Sequence, residues 1–297
     1  MIAARGISKR FGPRQVLKDV SFQVEDAQIV ALMGANGAGK STLFNILATL
    51  DPDFTGEAGI GGFDVRTQAR DARCRIGYVP GRFSLYGDLS VAENLAFFAG
   101  AYGCNASDIE QLSPFLWRSL VDFSDFRADT LSGGMKQKLA ICCALVHNPS
   151  VLLLDEPTVG VDPVSRHDMW QEIGALRDKG VSVLVSTHYL DEAALSDKIL
   201  FLHQGEILLF DSPAGIVGSY QHRLFSLPCQ PADLPRLEAA LATEPGVLDY
   251  YLWGDQMHIT ADDTFRGAAI CGKVPVPAEP DIEDIFIDTL SERRPRV

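Results

Sequence analysis

Gln28-Ile29-Val30-Ala31-Leu32-Met33 runs directly into Gly34-Ala35-Asn36-Gly37-Ala38-Gly39-Lys40-Ser41-Thr42, and the helical pattern STLFNILATL continues from Ser41. An apolar run without a charge reads as a buried strand of a parallel sheet, whose two faces are both covered. The loop is G-x-x-x-x-G-K-S in full, and it has the flanks the motif requires, a strand before and a helix after. Glycines let the backbone wrap closely around phosphate oxygens. The amides of the loop and of the helix N-terminus then point at the anion. Gly34, Asn36, Gly37, Gly39, Lys40, Ser41 and Thr42 are therefore the candidate nucleotide contacts. Lys40 is expected to reach the β- and γ-phosphates, and Ser41 to ligate Mg²⁺.

Outward from this loop, Val151-Leu152-Leu153-Leu154-Asp155-Glu156-Pro157 is a second apolar strand, ending in two acids. Ligands of a doubly wound sheet gather beyond the carboxyl ends of its strands, which places Asp155 beside the phosphate loop. Asp155 can then hold Mg²⁺, directly or through water, and Glu156 can polarise the attacking water. Adjacent acids at a strand end are costly without a cation; the plainer reading is an acidic turn. Residues 181–187, VSVLVST, form a third apolar strand that ends at His188. His188 is placed to bond the γ-phosphate and register its loss, though a structural role also suits a histidine there.

At 297 residues with 46% apolar content, the chain is near the upper limit for one core, which predicts a large domain plus an appendage. Lys plus Arg is 26 and Asp plus Glu is 39, so the net charge of −13 argues against nucleic acid as a partner. No apolar run approaches the roughly 18–20 residues of a membrane span. MIAARGISKRFG lacks the apolar core of a secretory signal, which predicts a cytoplasmic location. Cysteines 74, 104, 142, 143, 229 and 271 form no CxxC pair, so they read as free thiols, with Cys142 and Cys143 in a core.

Between the two strand motifs lies Leu131-Ser132-Gly133-Gly134-Met135-Lys136-Gln137. With LSGG, the phosphate loop, LLLDEP, VGVDP and STH in this order, the sequence resembles the ATP-binding subunits of ABC transporters over roughly residues 1–217. FSLYGDLSVAENLAFFAGAYG and LSGGMKQK look most like the daunorubicin-resistance type of exporter, and especially like the first half of its members with two nucleotide domains. The resemblance implies an ATPase on the inner face of the cell membrane that energises efflux by a separate integral membrane subunit. It implies a head-to-tail dimer, with itself or with another such ATPase, and two ATP molecules at the interface. Ser132, Gly133 and Gly134 would bind the γ-phosphate held by the other protomer, and their place at a helix start suits an anion. Asp162 matches a loop that connects the two sites; a turn residue before Pro163 is the plainer reading. Phe11 matches the aromatic on which adenine stacks, or is a hairpin core residue.

Two positions depart from the family pattern, Gly81 more than Met135. Gly81 follows Gly77-Tyr78-Val79-Pro80, where the family places a glutamine that helps form the Mg²⁺ and water shell. The expectation is that ATP binding survives while hydrolysis or coupling is weakened; the alternative function is a nucleotide-gated regulatory protein with weak hydrolysis. Met135 is a milder departure.

The expected fold is α/β, a P-loop NTPase of ABC type. Residues 1–25 would form a small antiparallel β portion, and 26–80 with 150–217 the α/β core. A mainly helical insertion covers about 82–149, and a small α+β domain covers 218–297. In the insertion, Phe83, Leu85 and Tyr86 precede a helix opened by Ser90 and Glu93. By resemblance this region meets the membrane subunit, and an aromatic core is the other reading. In the appendage, DYYLW and QMHIT around Gly254-Asp255 predict a hairpin, ADLPRLEAALATE and EPDIEDIFIDTL predict helices, and KVPVPAEP predicts a connector.

Overall fold

In the computed structural model, which describes residues 1–291, the chain divides into two units, Met1–Ser212 and Pro213–Val297. Residues 292–297 of the expected appendage lie outside the described residues. The division falls slightly ahead of the break read at 217/218, because the helix Pro213–Gly218 packs against the helix Ile282–Ser291.

The first unit opens with an antiparallel hairpin, β1 (Ile2–Phe11) and β2 (Arg14–Val24), paired from Ile2 with Val24 to Phe11 with Arg14. The apolar run that follows is β3 (Ile29–Met33), buried throughout. The chain then returns to the hairpin with β4 (Thr55–Ile60) and β5 (Phe63–Asp64), in the order β2-β1-β4-β5. This corrects the placing of residues 55–64 in the α/β core. Ala58 and Ile60 are buried on alternate positions, the pattern of a half-buried strand that pairs with β1.

The central sheet adds β6 (Ile76–Val79), β7 (Val151–Leu154), β8 (Ser182–Ser186), β9 (Lys198–His203) and β10 (Glu206–Asp211), in the order β10-β9-β3-β8-β7-β6. All its pairs are parallel except β9 with β10. Val30, Leu32, Val151, Leu153 and Leu184 face one core with the helix Lys40–Leu47. Ile29, Leu152, Leu154, Val183 and Val185 face the other, with the helices Val91–Tyr102, Gly133–Leu145 and Pro163–Asp178. Each such side chain contributes roughly 1.5–3 kcal/mol by burial. Because β3, β7 and β8 are parallel neighbours, Gly34, Asp155 and Thr187 leave the sheet at the same edge.

In the helical insertion, the Ser90 hydroxyl accepts from Glu93 N at 3.1 Å and Glu93 accepts from Ser90 N at 2.8 Å, a reciprocal cap. Cys142 and Cys143 are 0% and 2% exposed, and burial, first of all, holds both thiols well above their ordinary range. All six cysteines are free. Among the described residues no helix is long and apolar enough to cross a membrane.

The second unit is an antiparallel sheet, β11 (Arg223–Pro228), β12 (Val247–Trp253), β13 (Gln256–Ala261) and β14 (Val276–Ala278), in the order β12-β13-β11-β14. Gly254-Asp255 turns β12 into β13. The proline-rich stretch read as a connector supplies β14, which pairs with β11. Asp284, on the helix Ile282–Ser291, is 2% exposed and accepts from Tyr251 Oη and from His258 Nδ1, the latter at 2.7 Å.

Candidate nucleotide site

Beyond β3 the chain turns through Gly39, whose φ of 113° lies where only glycine is at ease; a Cβ there would stand 2.7 Å from Leu17 Cδ2. The helix Lys40–Leu47 starts at once. Lys40 is 5% exposed, and its ammonium donates to the Gly34 carbonyl at 2.7 Å and to that of Ala35 at 3.4 Å. A cavity of about 310 Å³ opens beside it. Phe11, Asn36, Gly37, Gly39, Lys40, Ser41, Thr42 and Glu156 all line this cavity. Phe11 is 53% exposed, so its ring is not in the hairpin core. Gly34 is set back beneath Lys40 and contributes its carbonyl.

Asp155 is 5% exposed and accepts from Ser186 Oγ at 2.7 Å. The same hydroxyl accepts from Glu156 N at 2.7 Å. Glu156 has φ 55°, a left-handed conformation that costs a non-glycine residue about 1–2 kcal/mol. Ser186 thus pins the one turn that carries both acids. Glu156 Oε1 lies 2.8 Å from His188 Nε2 and 3.5 Å from Lys40 Nζ, so one carboxylate joins the phosphate loop to the end of β8. Burial, and after it the charge of Asp155, pushes the Tyr78 phenol up to about 12. A Cβ on Gly81 would stand 3.1 Å from the Asp155 carbonyl oxygen and 3.7 Å from Oδ2, so this position abuts the acid closely.

Ser132 and Asp162 sit elsewhere, as helix caps. Ser132 Oγ accepts from Met135 N at 3.3 Å at the start of Gly133–Leu145, and Asp162 Oδ1 accepts from Ser165 N at 3.0 Å at the start of Pro163–Asp178. The amide of Ser165 holds the Asp162 carboxyl below its usual range. The two caps are near one another, since a Cβ on Gly134 would lie 3.5 Å from Ser165 Cβ. Ser132, Gly133, Gly134 and Asp162 do not line the Lys40 cavity.

Arg14 and Val16 also line the cavity, and sequence reasoning missed both. Their nearness to Asn36 and Gly37 comes from the hairpin folding over the loop, which no local pattern announces. In the sequence Ser186 is only the first residue of STH; its partners become visible once β7 and β8 are known to be parallel neighbours.

The sequence profile of the family described as ABC transporter matches residues 17–159. The Nod factor export ATP-binding protein I of Burkholderia lata is 37% identical over 218 residues, 72% of either chain. The chain belongs to the ABC transporter family, among its ATP-binding proteins. Another similar cassette protein is the probable multidrug ABC transporter ATP-binding protein YbhF of Escherichia coli, 38% identical over 72% of this chain. The match spans only 37% of YbhF. The doxorubicin resistance ATP-binding protein DrrA of Mycobacterium tuberculosis is 35% identical over 81% of this chain and 74% of its own length. Among solved structures, an ATP-binding subunit of an ABC transporter superposes with a TM-score of 0.67 at 31% identity, covering 73% of this chain and 91% of that one. A dimeric bacterial ABC transporter cassette gives a TM-score of 0.65 at 26% identity, covering 71% and 98%. The P-loop NTPase cassette fold is thereby shared with known family members.

Proposed function

We propose that this cassette hydrolyses ATP to ADP and phosphate and so powers export through a separate integral membrane subunit. The observation that carries this reading is the shared wall of one cavity by Lys40, Ser41 and Glu156, with His188 2.8 Å from that same glutamate. The loop amides and Lys40 hold the triphosphate. Phe11 offers its exposed ring to the adenine. Glu156 orients and polarises the water that attacks the γ-phosphorus, and His188 donates to the γ-phosphate. Positioning and charge neutralisation supply most of the rate.

The residues fit Mg²⁺. The Ser41 hydroxyl and the Asp155 carboxylate are hard oxygen donors, the kind this ion takes, with its other positions left to phosphate oxygens and water. Bound there, Mg²⁺ supplies neutralisation of charge between the β- and γ-phosphates.

The cap residues suit a head-to-tail dimer, a homodimer or a heterodimer. Ser132 and the amides of Gly133 and Gly134 lie outside their own cavity, at a helix start that favours the γ-phosphate of the other protomer's ATP. Asp162, beside them, would connect the two sites. A similar solved cassette is dimeric. The chain would then sit on the inner face of the cell membrane through its membrane partner. The alternative of a weakly hydrolysing regulatory protein is not favoured, because similar proteins bear multidrug transporter, export and resistance names.

Glu156→Gln tests the reading. It should lower phosphate release by at least about 100-fold while ATP remains bound. Release at the unaltered rate would overturn it.

A further inference from the structure

Glu192 belongs to no motif quoted above, yet it is 4% exposed and its two oxygens face three different segments. Oε2 accepts from Thr158 Oγ1 at 2.9 Å and from Thr187 Oγ1 at 2.5 Å. Both threonines are themselves 1% exposed. Thr158 follows Glu156 by two positions, and Thr187 immediately precedes His188. Thr187 Oγ1 also accepts from Tyr189 N at 3.1 Å, so this hydroxyl brackets the backbone of His188 on both sides. Oε1 lies 3.6 Å from Arg166 on the helix that Asp162 caps, and the Arg166 guanidinium lies over the Tyr189 ring at 4.2 Å.

From this geometry we infer that Glu192 is a positioning residue for ATP hydrolysis: it sets the separation of Glu156 and His188 and ties that pair to the helix behind Asp162. A single oxygen that takes both threonine hydroxyls fixes the distance between the two backbone segments presenting the reacting pair. Hydrogen bonds to a carboxylate out of water are the strong kind, and a buried carboxylate that loses a partner keeps its desolvation cost. Glu192, Thr158, Thr187 and Arg166 do not line the Lys40 cavity, so the effect of this cluster is on alignment. A misplacement of about 1 Å in a reacting pair is enough to slow a reaction roughly 100-fold.

The inference rests on the ATPase reading, and one set of measurements separates the two. Phosphate release and ATP binding are compared for the full chain and for Glu192→Ala, Glu192→Gln and Thr158→Val. Glu192→Ala should lower kcat by about tenfold or more, with KM for ATP within about twofold. Glu192→Gln keeps an oxygen for both hydroxyls and should recover most of that rate, although it loses the charge facing Arg166. Thr158→Val keeps the side-chain shape and should show a smaller loss of kcat with KM unchanged, and it carries the test where Glu192→Ala does not fold. An active parent with Glu192→Ala or Thr158→Val at the parental kcat would overturn the positioning role. So would glutamine and alanine variants equally slow, or a loss seen only in KM. A parent chain that neither binds nor hydrolyses ATP would overturn the ATPase reading, and the inference with it.

Discussion

His188 Nε2 and Glu156 Oε1 are 2.8 Å apart, across the gap between the ends of β7 and β8. That contact links the residue proposed to orient water to the one proposed to hold the γ-phosphate. His188→Ala should therefore lower phosphate release by roughly 10–100-fold and leave ATP affinity within about threefold. Steady-state release and equilibrium nucleotide titration on the same preparations check both halves of the expectation.

Gly81 makes room for Asp155. With a Cβ 3.1 Å from the Asp155 carbonyl oxygen, Gly81→Ala requires the turn that carries both acids to give by a few tenths of an ångström. The expected outcome is a fall in turnover of about threefold to tenfold with ATP binding retained. A rate equal to the parent's would show that the turn yields at no cost.

His147 gives the first unit a pH dependence. Burial, opposed by a bond to the Ile76 carbonyl at 3.0 Å, holds its pKa below the ordinary 6.5, and its ring stacks on Tyr102 at 3.8 Å. Well above pH 6.5 the ring is neutral in both folded and unfolded chains, and no stability is lost. As pH falls through 6.5 the unfolded chain takes up the proton first, so stability declines until the folded pKa is passed. His147→Gln should flatten this decline between about pH 7 and pH 5, read as urea midpoints.

The phosphate loop, the acids after β7 and the histidine after β8 were legible in the sequence because each is a local pattern, an apolar strand followed by polar residues at its carboxyl end. The return of residues 55–64 to the hairpin sheet was not, since the partner of Ile60 is Ile2, a pairing set by tertiary contact. The strand in KVPVPAEP was hidden for a related reason. Proline removes a donor, and an edge strand such as β14 tolerates that because one side makes no ladder. Ser186 and Glu192 escaped notice because their partners lie on other segments of the chain. Nothing in the residue types says which hydroxyl or carboxylate will be buried against them.

The central claim is that Lys40 and the loop around it hold the triphosphate of ATP. Titration calorimetry with magnesium and ATP on the whole chain, beside Lys40→Ala, tests it most directly. The account predicts saturable binding by the parent chain and at least tenfold weaker binding by the variant, a loss of about 1.4 kcal/mol or more. Identical heats for the two proteins, or no heat from either at millimolar nucleotide, would contradict it.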